Sequence, residues 1–175
     1  MNRLNEYMNI PLSNFDILGL VNGKANIIIY HDIHKYNNID QLLYPHGAAF
    51  ILFESKPKYG HWCLLFFVDN NKLEFFNPYQ GFPDDSLKHI NKNFSKKINQ
   101  DKPYLSNLMI ESPYTLSYNE HEYQKYCQNI KTCGRHCVVR LLLRNLSLNK
   151  YDYIVNEMCD KYNLIPDQFV TLLTI

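Results

Sequence analysis

No apolar run in the sequence approaches the roughly 18–20 residues that cross a bilayer. Residues 1–8 also lack the basic-then-apolar pattern of a secretory leader. The chain is therefore expected to be soluble and unsecreted, with no membrane partner. An excess of charge of one sign is missing too: 18 Lys and Arg stand against 17 Asp and Glu, a formal net charge of +1. That balance removes the broad electrostatic footprint on which strong non-specific nucleic-acid binding depends, so DNA is at most a weak partner. There is no Cys-x2-Cys pair. The five cysteines, Cys63, Cys127, Cys133, Cys137 and Cys159, are odd in number and scattered, which favours reduced thiols over a disulfide framework. Internal repeats, low-complexity tracts and Pro/Gly/Ser-rich linkers are absent as well, so residues 1–175 are expected to form a single domain.

What remains is ordinary globular material with an aromatic bias. Hydrophobic residues make up 46% and charged residues 20%, and aromatics reach 14%, far from the composition that stays disordered. The abundance of Asn, Lys and Ile points to an AT-rich genome rather than to a fold. Short β-branched or apolar runs at 25–30, 48–53 and 62–68 read as strands. Asp69-Asn70-Asn71-Lys72 reads as a hairpin turn into a further strand at 73–77, ended by Pro78, which cannot donate to a ladder. The second half turns helical. One helix is expected from Asp84 or Asp85 to about 98, and at most one strand near 114–118 within an irregular stretch. A further helix is expected from 150 to about 162, and a short one opened by Pro166. The clearest helix runs from Cys133 to about Leu146. In it Cys137, Val138, Leu141, Leu142 and Asn145 share one face, and His136, Arg140 and Arg144 form an opposite polar stripe. Strands followed by helices predict an α+β fold, a mixed central β-sheet packed against helices.

The residue pattern holds one candidate for chemistry. A cysteine nucleophile requires a thiolate, hence a pKa pulled down by a helix N-terminus or an adjacent imidazolium. Cys133 opens the best helix, where unpaired N–H groups favour an anion, and Gly134 beside it removes a side chain that would crowd a substrate backbone. On this reading Cys133 alkylates with iodoacetamide well below pH 7. His61 and Asn77 flank the hairpin sixteen residues apart. With the turn centred on Asn70, residue 61 falls opposite residue 79. Asn77 then becomes a diagonal neighbour of His61 on the same face, roughly 7–8 Å away and within reach of an imidazole–carboxamide hydrogen bond.

Gly60-His61-Trp62, Phe76-Asn77-Pro78-Tyr79-Gln80-Gly81, Gln128 and Cys133-Gly134-Arg135-His136-Cys137 resemble, in that order, the motifs of the adenain-like cysteine proteases. That family also takes in the proteases that trim ubiquitin-like proteins. The similarity is greatest to its viral maturation branch: adenovirus protease and relatives in large DNA viruses, virophages and Maverick-type elements. It covers about residues 45 to 147. The resemblance implies the papain-related fold of that family and a cysteine endopeptidase with Cys133 as nucleophile, His61 as general base and acid, and Asn77 as its orienter. Gln128 would donate to the oxyanion hole beside the Cys133 N–H, with Gln124 as the alternative. Trp62 would pack beside the histidine and wall the substrate channel. Asn77 stands where the family more often has Glu or Asp, and Arg135 where many relatives are apolar.

The resemblance further implies cleavage after small, Gly-rich residues in capsid or other viral structural precursors during virion maturation. The protein would act as a monomer in the virion and the host-cell cytoplasm. No cofactor is required by the residues themselves, although an activating peptide or DNA would be in keeping with the family. Two other readings compete. One is a protease deconjugating a ubiquitin-like protein, for whose recognition 175 residues leave little surface. The other is an inactive interaction module, which Cys127, Cys133, His136 and Cys137 could stabilise through zinc. No metal site is expected, since Cys133 and Cys137 lie on the core-facing side of the helix. His31 and His34 are expected in a solvated loop.

Overall fold

The computed structural model describes residues 2–175. Its centre is one five-stranded sheet: β1 (Asn26–Ile29), β2 (Ala48–Lys56), β3 (Tyr59–Asp69), β4 (Lys72–Phe76) and β5 (Thr115–Tyr118), in that spatial order. The two inner pairings, β2 with β3 and β3 with β4, are antiparallel. The two outer ones, β1 with β2 and β4 with β5, are parallel. The sheet is thus mixed and the fold α+β. None of the described helices is long and apolar enough to cross a membrane.

The middles of β2 and β3 are continuously apolar because both faces of the sheet are covered there, the circumstance in which strands lose their alternating pattern. Phe50, Leu52, Trp62, Leu64, Phe66 and Phe76 enter one core. Their neighbours Ile51, Phe53, Cys63, Leu65, Leu73 and Phe75 enter a second one. The first core is closed by α6 (Cys133–Leu142), which lies across β3, with α2 (Asn14–Leu20), α7 (Leu148–Tyr162) and α8 (Pro166–Leu172) around it. The second is closed by a 3-10 helix at Tyr30–Lys35, by α3 (Ile39–Leu43) and by α5 (Tyr104–Ile110). Each large side chain so buried contributes about 1.5–3 kcal/mol.

The helices depart from the sequence reading in instructive ways. The segment from Asp85 to Ile98 is two pieces, a 3-10 turn at Asp85–His89 and α4 (Lys92–Lys97). Asn91 starts the second piece, its side-chain Oδ1 accepting from the N–H groups of Asn93 and Phe94. Asp84 does not cap the first. It sits at φ 72°, and its carboxylate meets the Tyr30 hydroxyl at 2.5 Å and the Ser106 N–H at 2.8 Å, tying the 80–90 segment to the second core. Helices α1 (Asn2–Met8), α2, α3 and α5 carry too few turns to show a period in the sequence. His31 is not in a solvated loop: it lies in the 3-10 helix, 3.5 Å from the buried carboxylate of Glu54.

The largest correction concerns α6. His136, Arg140 and Arg144 form a polar stripe opposite the apolar face in the sequence pattern, yet His136 and Arg140 are both 0% exposed. Arg140 lies over Glu74 of β4 in a two-pronged ion pair, Nε to Oε1 at 2.6 Å and Nη2 to Oε2 at 2.8 Å. Its remaining donors reach the carbonyls of Leu143 and Leu146. Those last bonds cap the helix at Leu142, four residues short of the expected end. A burial of this kind is tolerable only while both charges are paired. Arg140→Met is therefore expected to destabilise the fold by about 3–5 kcal/mol in urea denaturation, because it strands the Glu74 carboxylate. The double variant Arg140→Met/Glu74→Leu should recover most of that loss, which a merely steric role for Arg140 would not allow.

Candidate active site

β4 ends at Phe76 while its partner β3 runs on to Tyr59, so the first residues of β3 face an opening instead of a strand. That opening is a cleft of about 960 Å³, and His61, Asn77, Tyr79, Gln124, Gln128 and Cys133 all line it. The hairpin register, Leu64 opposite Phe76 and Leu65 opposite Phe75, continues to place residue 61 opposite residue 79, as the turn at Asn70 predicts. His61 Nε2 lies 2.7 Å from Asn77 Oδ1.

The donor in that bond follows from the groups around Asn77. Its Nδ2 is 2.7 Å from the Gln80 carbonyl, which can only accept. Its Oδ1 is 3.0 Å from the Tyr79 N–H, which can only donate. The carboxamide therefore has one orientation, with its oxygen toward the imidazole. His61 must carry its hydrogen on Nε2, leaving Nδ1 with the lone pair of a base. Asn119, buried at the end of β5, holds the Asn77 backbone from the other side. Its side chain accepts from the Asn77 N–H at 2.9 Å and donates to the Asn77 carbonyl at 2.6 Å, replacing the ladder that stops at Phe76. Tyr79 stacks on His61, ring centroids 4.6 Å apart and planes 23° from parallel. Gly60 permits the adjoining turn of β3: a Cβ there would lie 1.9 Å from the Phe53 carbonyl oxygen.

Cys133 is the first residue of α6. Thr132 before it does not cap the helix; its hydroxyl donates instead to Asp167, which also accepts from His136 Nε2 and the Lys125 N–H. The first-turn N–H groups are thus left to the sulfur. Burial raises the Cys133 thiol above its ordinary range, while the backbone N–H groups of Trp62, Gly134 and Cys133 itself oppose that rise. Burial likewise lowers His61, to about 4, against the opposing pull of Asn77. No hydrogen bond joins Cys133 to His61 among the described residues. Both shifts favour the neutral forms, a thiol and an imidazole, over the thiolate expected at the helix terminus, because desolvation outweighs the N–H donors.

Two substrate-binding assignments change. Trp62 does not wall the cleft. It is 6% exposed, belongs to the first core and donates its indole N–H to the Leu12 carbonyl at 3.2 Å. Alternation along β3 turns it away from the face that carries His61. Gly134 does not line the cleft either. A Cβ on it would come within 3.2 Å of the Trp62 ring and 3.3 Å of Leu12, so the glycine lets α6 close on β3. Gln128 lines the cleft from an exposed turn. Gln124 is buried and donates to the Tyr79 hydroxyl at 3.0 Å and the Ile130 carbonyl at 3.1 Å. The sequence reading missed Asn119 and Asp167 altogether. Their signal, a lone polar residue beside an apolar stretch, is common to many surface positions. Among the described residues no group of three His, Cys, Asp or Glu side chains is gathered for a metal. Cys137 donates to the Trp62 carbonyl at 3.4 Å, while His136 points to Asp167.

An α+β chain with a mixed sheet and a Cys-His-Asn set in one cleft is what sequence and structure define together. Compared with models of known protein families, the chain matches none. It is 47% identical over 175 residues, the whole of both chains, to "Uncharacterized protein V9" of Sputnik virophage, and it belongs to the family of that protein. Among solved structures, the central domain of the uncharacterized protein Lpg1148 from Legionella pneumophila is similar at a TM-score of 0.41. The two share 14% identity, with 94% of this chain and 96% of that one covered.

His61 is expected to titrate near pH 4 in the folded chain, against 6.5 when unfolded. Between those values the unfolded state binds more protons, so stability falls as pH drops from 6.5 toward 4. NMR titration of the imidazole, with denaturation midpoints at both pH values, checks this. Titration at or above pH 6.5 would show that a charged pair exists after all.

Proposed function

We propose that the chain is a cysteine endopeptidase of the adenain-like type, acting on precursors of virion structural proteins. The observation that carries the reading is the 2.7 Å contact of His61 Nε2 with an Asn77 oxygen of fixed orientation, in the cleft that also takes in the head of α6. That contact leaves Nδ1 free to take the Cys133 proton as the sulfur adds to a peptide carbonyl carbon. The carbonyl π electrons move onto oxygen, where the Cys133 N–H and the Gln128 amide donate. When the intermediate collapses, the C–N bond breaks and the amine leaves with the proton held on His61. Water, deprotonated by the same nitrogen, then hydrolyses the thioester. A neutral resting pair makes proton transfer part of the attack, so general-base catalysis contributes on the order of 10²–10⁴-fold. Kinship to a virophage protein and the resemblance to viral maturation proteases support the substrate class. The small residues before the cut rest on the resemblance alone, since Trp62 does not narrow the channel.

Cys133→Ala should abolish cleavage of virion structural precursors while shifting the thermal midpoint by no more than a few degrees; retained cleavage with the same product ends would remove the assignment. Iodoacetamide alkylation of Cys133 should climb with pH through the thiol range without a plateau below pH 7. Asn77→Ala should lower kcat at least about tenfold through loss of the imidazole's orientation. Asn77→Asp should not restore it, although related proteases use an acidic residue there. In this site the second oxygen would face the Gln80 carbonyl, an acceptor against an acceptor.

A further inference from the structure

An oxyanion donor works when it is fixed before the reaction begins. Gln128 sits on an exposed turn and its side chain has no hydrogen bond among the described residues, which makes it a poorly anchored donor. Tyr79 is held on two sides. Its ring lies flat against His61, and its hydroxyl oxygen accepts from Gln124 Nε2 at 3.0 Å. Because that oxygen is already an acceptor, the phenol's own hydrogen remains to be donated, and no acceptor for it is present among the described residues.

Gln124 is oriented at a cost. Its second amide hydrogen goes to the Ile130 carbonyl at 3.1 Å, and its own oxygen Oε1 is buried without a partner. A buried acceptor left unsatisfied is unfavourable. Here it accompanies an arrangement that points an N–H, and not a carbonyl, at the Tyr79 hydroxyl. Tyr79 stays protonated well past neutral pH, since burial and the nearby Cys133 sulfur both raise it.

We propose that the Tyr79 hydroxyl, primed by Gln124, donates a hydrogen bond to the oxyanion formed when Cys133 adds to a carbonyl carbon. The inference rests on the cysteine-peptidase reading and assigns that reaction a donor outside the helix terminus. The phenol gives up no proton. As the S–C bond forms, the Cys133 proton passes to His61 Nδ1 and the carbonyl π pair becomes an oxygen lone pair, to which Tyr79 donates in addition to the Cys133 N–H and the more loosely held Gln128. When the intermediate collapses, that pair returns to the carbonyl and the leaving group departs with its bonding electrons.

Two reagents separate this role from simple support of His61. Acylation of a thiol by p-nitrophenyl acetate passes through a tetrahedral oxyanion and releases p-nitrophenolate. Alkylation by iodoacetamide displaces iodide at a saturated carbon and makes no oxyanion. Both rates are read at Cys133 by peptide mass spectrometry on the full chain, with the exposed thiol of Cys127 as internal reference. In Tyr79→Phe, which keeps the stacked ring, the ratio of acylation to alkylation at Cys133 should fall at least about tenfold, with the ratio at Cys127 unchanged. Gln124→Met, which leaves the hydroxyl present but unanchored, should give a smaller fall in the same ratio. An unchanged ratio in Tyr79→Phe, or an equal fall of both rates, overturns the oxyanion role while the Cys133–His61 reading stands. Wild-type Cys133 acylated no faster than Cys127 overturns both.

Discussion

The chemistry available to the cleft depends on how one carboxamide is turned. Asn77 has a donor-only neighbour on one side, the Tyr79 N–H, and an acceptor-only neighbour on the other, the Gln80 carbonyl. With its backbone clamped by Asn119, it has no second orientation of comparable energy. The consequence passes outward atom by atom: the amide oxygen sets the hydrogen on His61 Nε2, and the lone pair falls to Nδ1. A carboxylate would do the same and add charge. An amide orients without charging, which suits a histidine that burial keeps neutral.

Cys133 is seated by a different device. From Cys133 to Leu141 α6 is buried, and its enclosed polar side chains each find a partner: Arg140 with Glu74, His136 Nε2 with Asp167, Arg135 Nη1 with the Thr174 carbonyl and hydroxyl. These pairs contribute little net stability against an apolar alternative. They fix the rotation of the helix about its axis, and with it the direction in which Cys133 points.

The parts of this arrangement legible in the sequence are those governed by short-range rules. Strands at 48–53 and 62–68 announce themselves because a doubly covered sheet leaves no polar alternation, and the Asp69–Lys72 turn fixes the register that brings Asn77 to His61. What the sequence conceals is partnership across distance. Arg140 and His136 look like a wet stripe because nothing local reveals Glu74, 66 residues away, or Asp167, 31 away. Trp62 looks like a substrate contact by resemblance, and Gly134 by its place beside Cys133. Their roles in closing α6 on β3 depend on the alternation of the strand and on Leu12, which lies 50 residues before the tryptophan. The neutral resting pair is equally hidden, since burial is a property of the folded surroundings.

Asp167 joins a third element to this list, because the Lys125 N–H that it accepts belongs to the wall carrying Gln124 and Gln128. The 80–90 segment, which also lines the cleft, is pinned through Asp84 to Tyr30 and Ser106. A groove fastened on both banks is a ready-made mould, not a flap. On the proposed peptidase reading, an extended peptide entering it would surrender its own freedom while the protein surrenders almost none, so selectivity would track how readily a candidate segment straightens, favouring unstructured linkers between folded units over residues inside them.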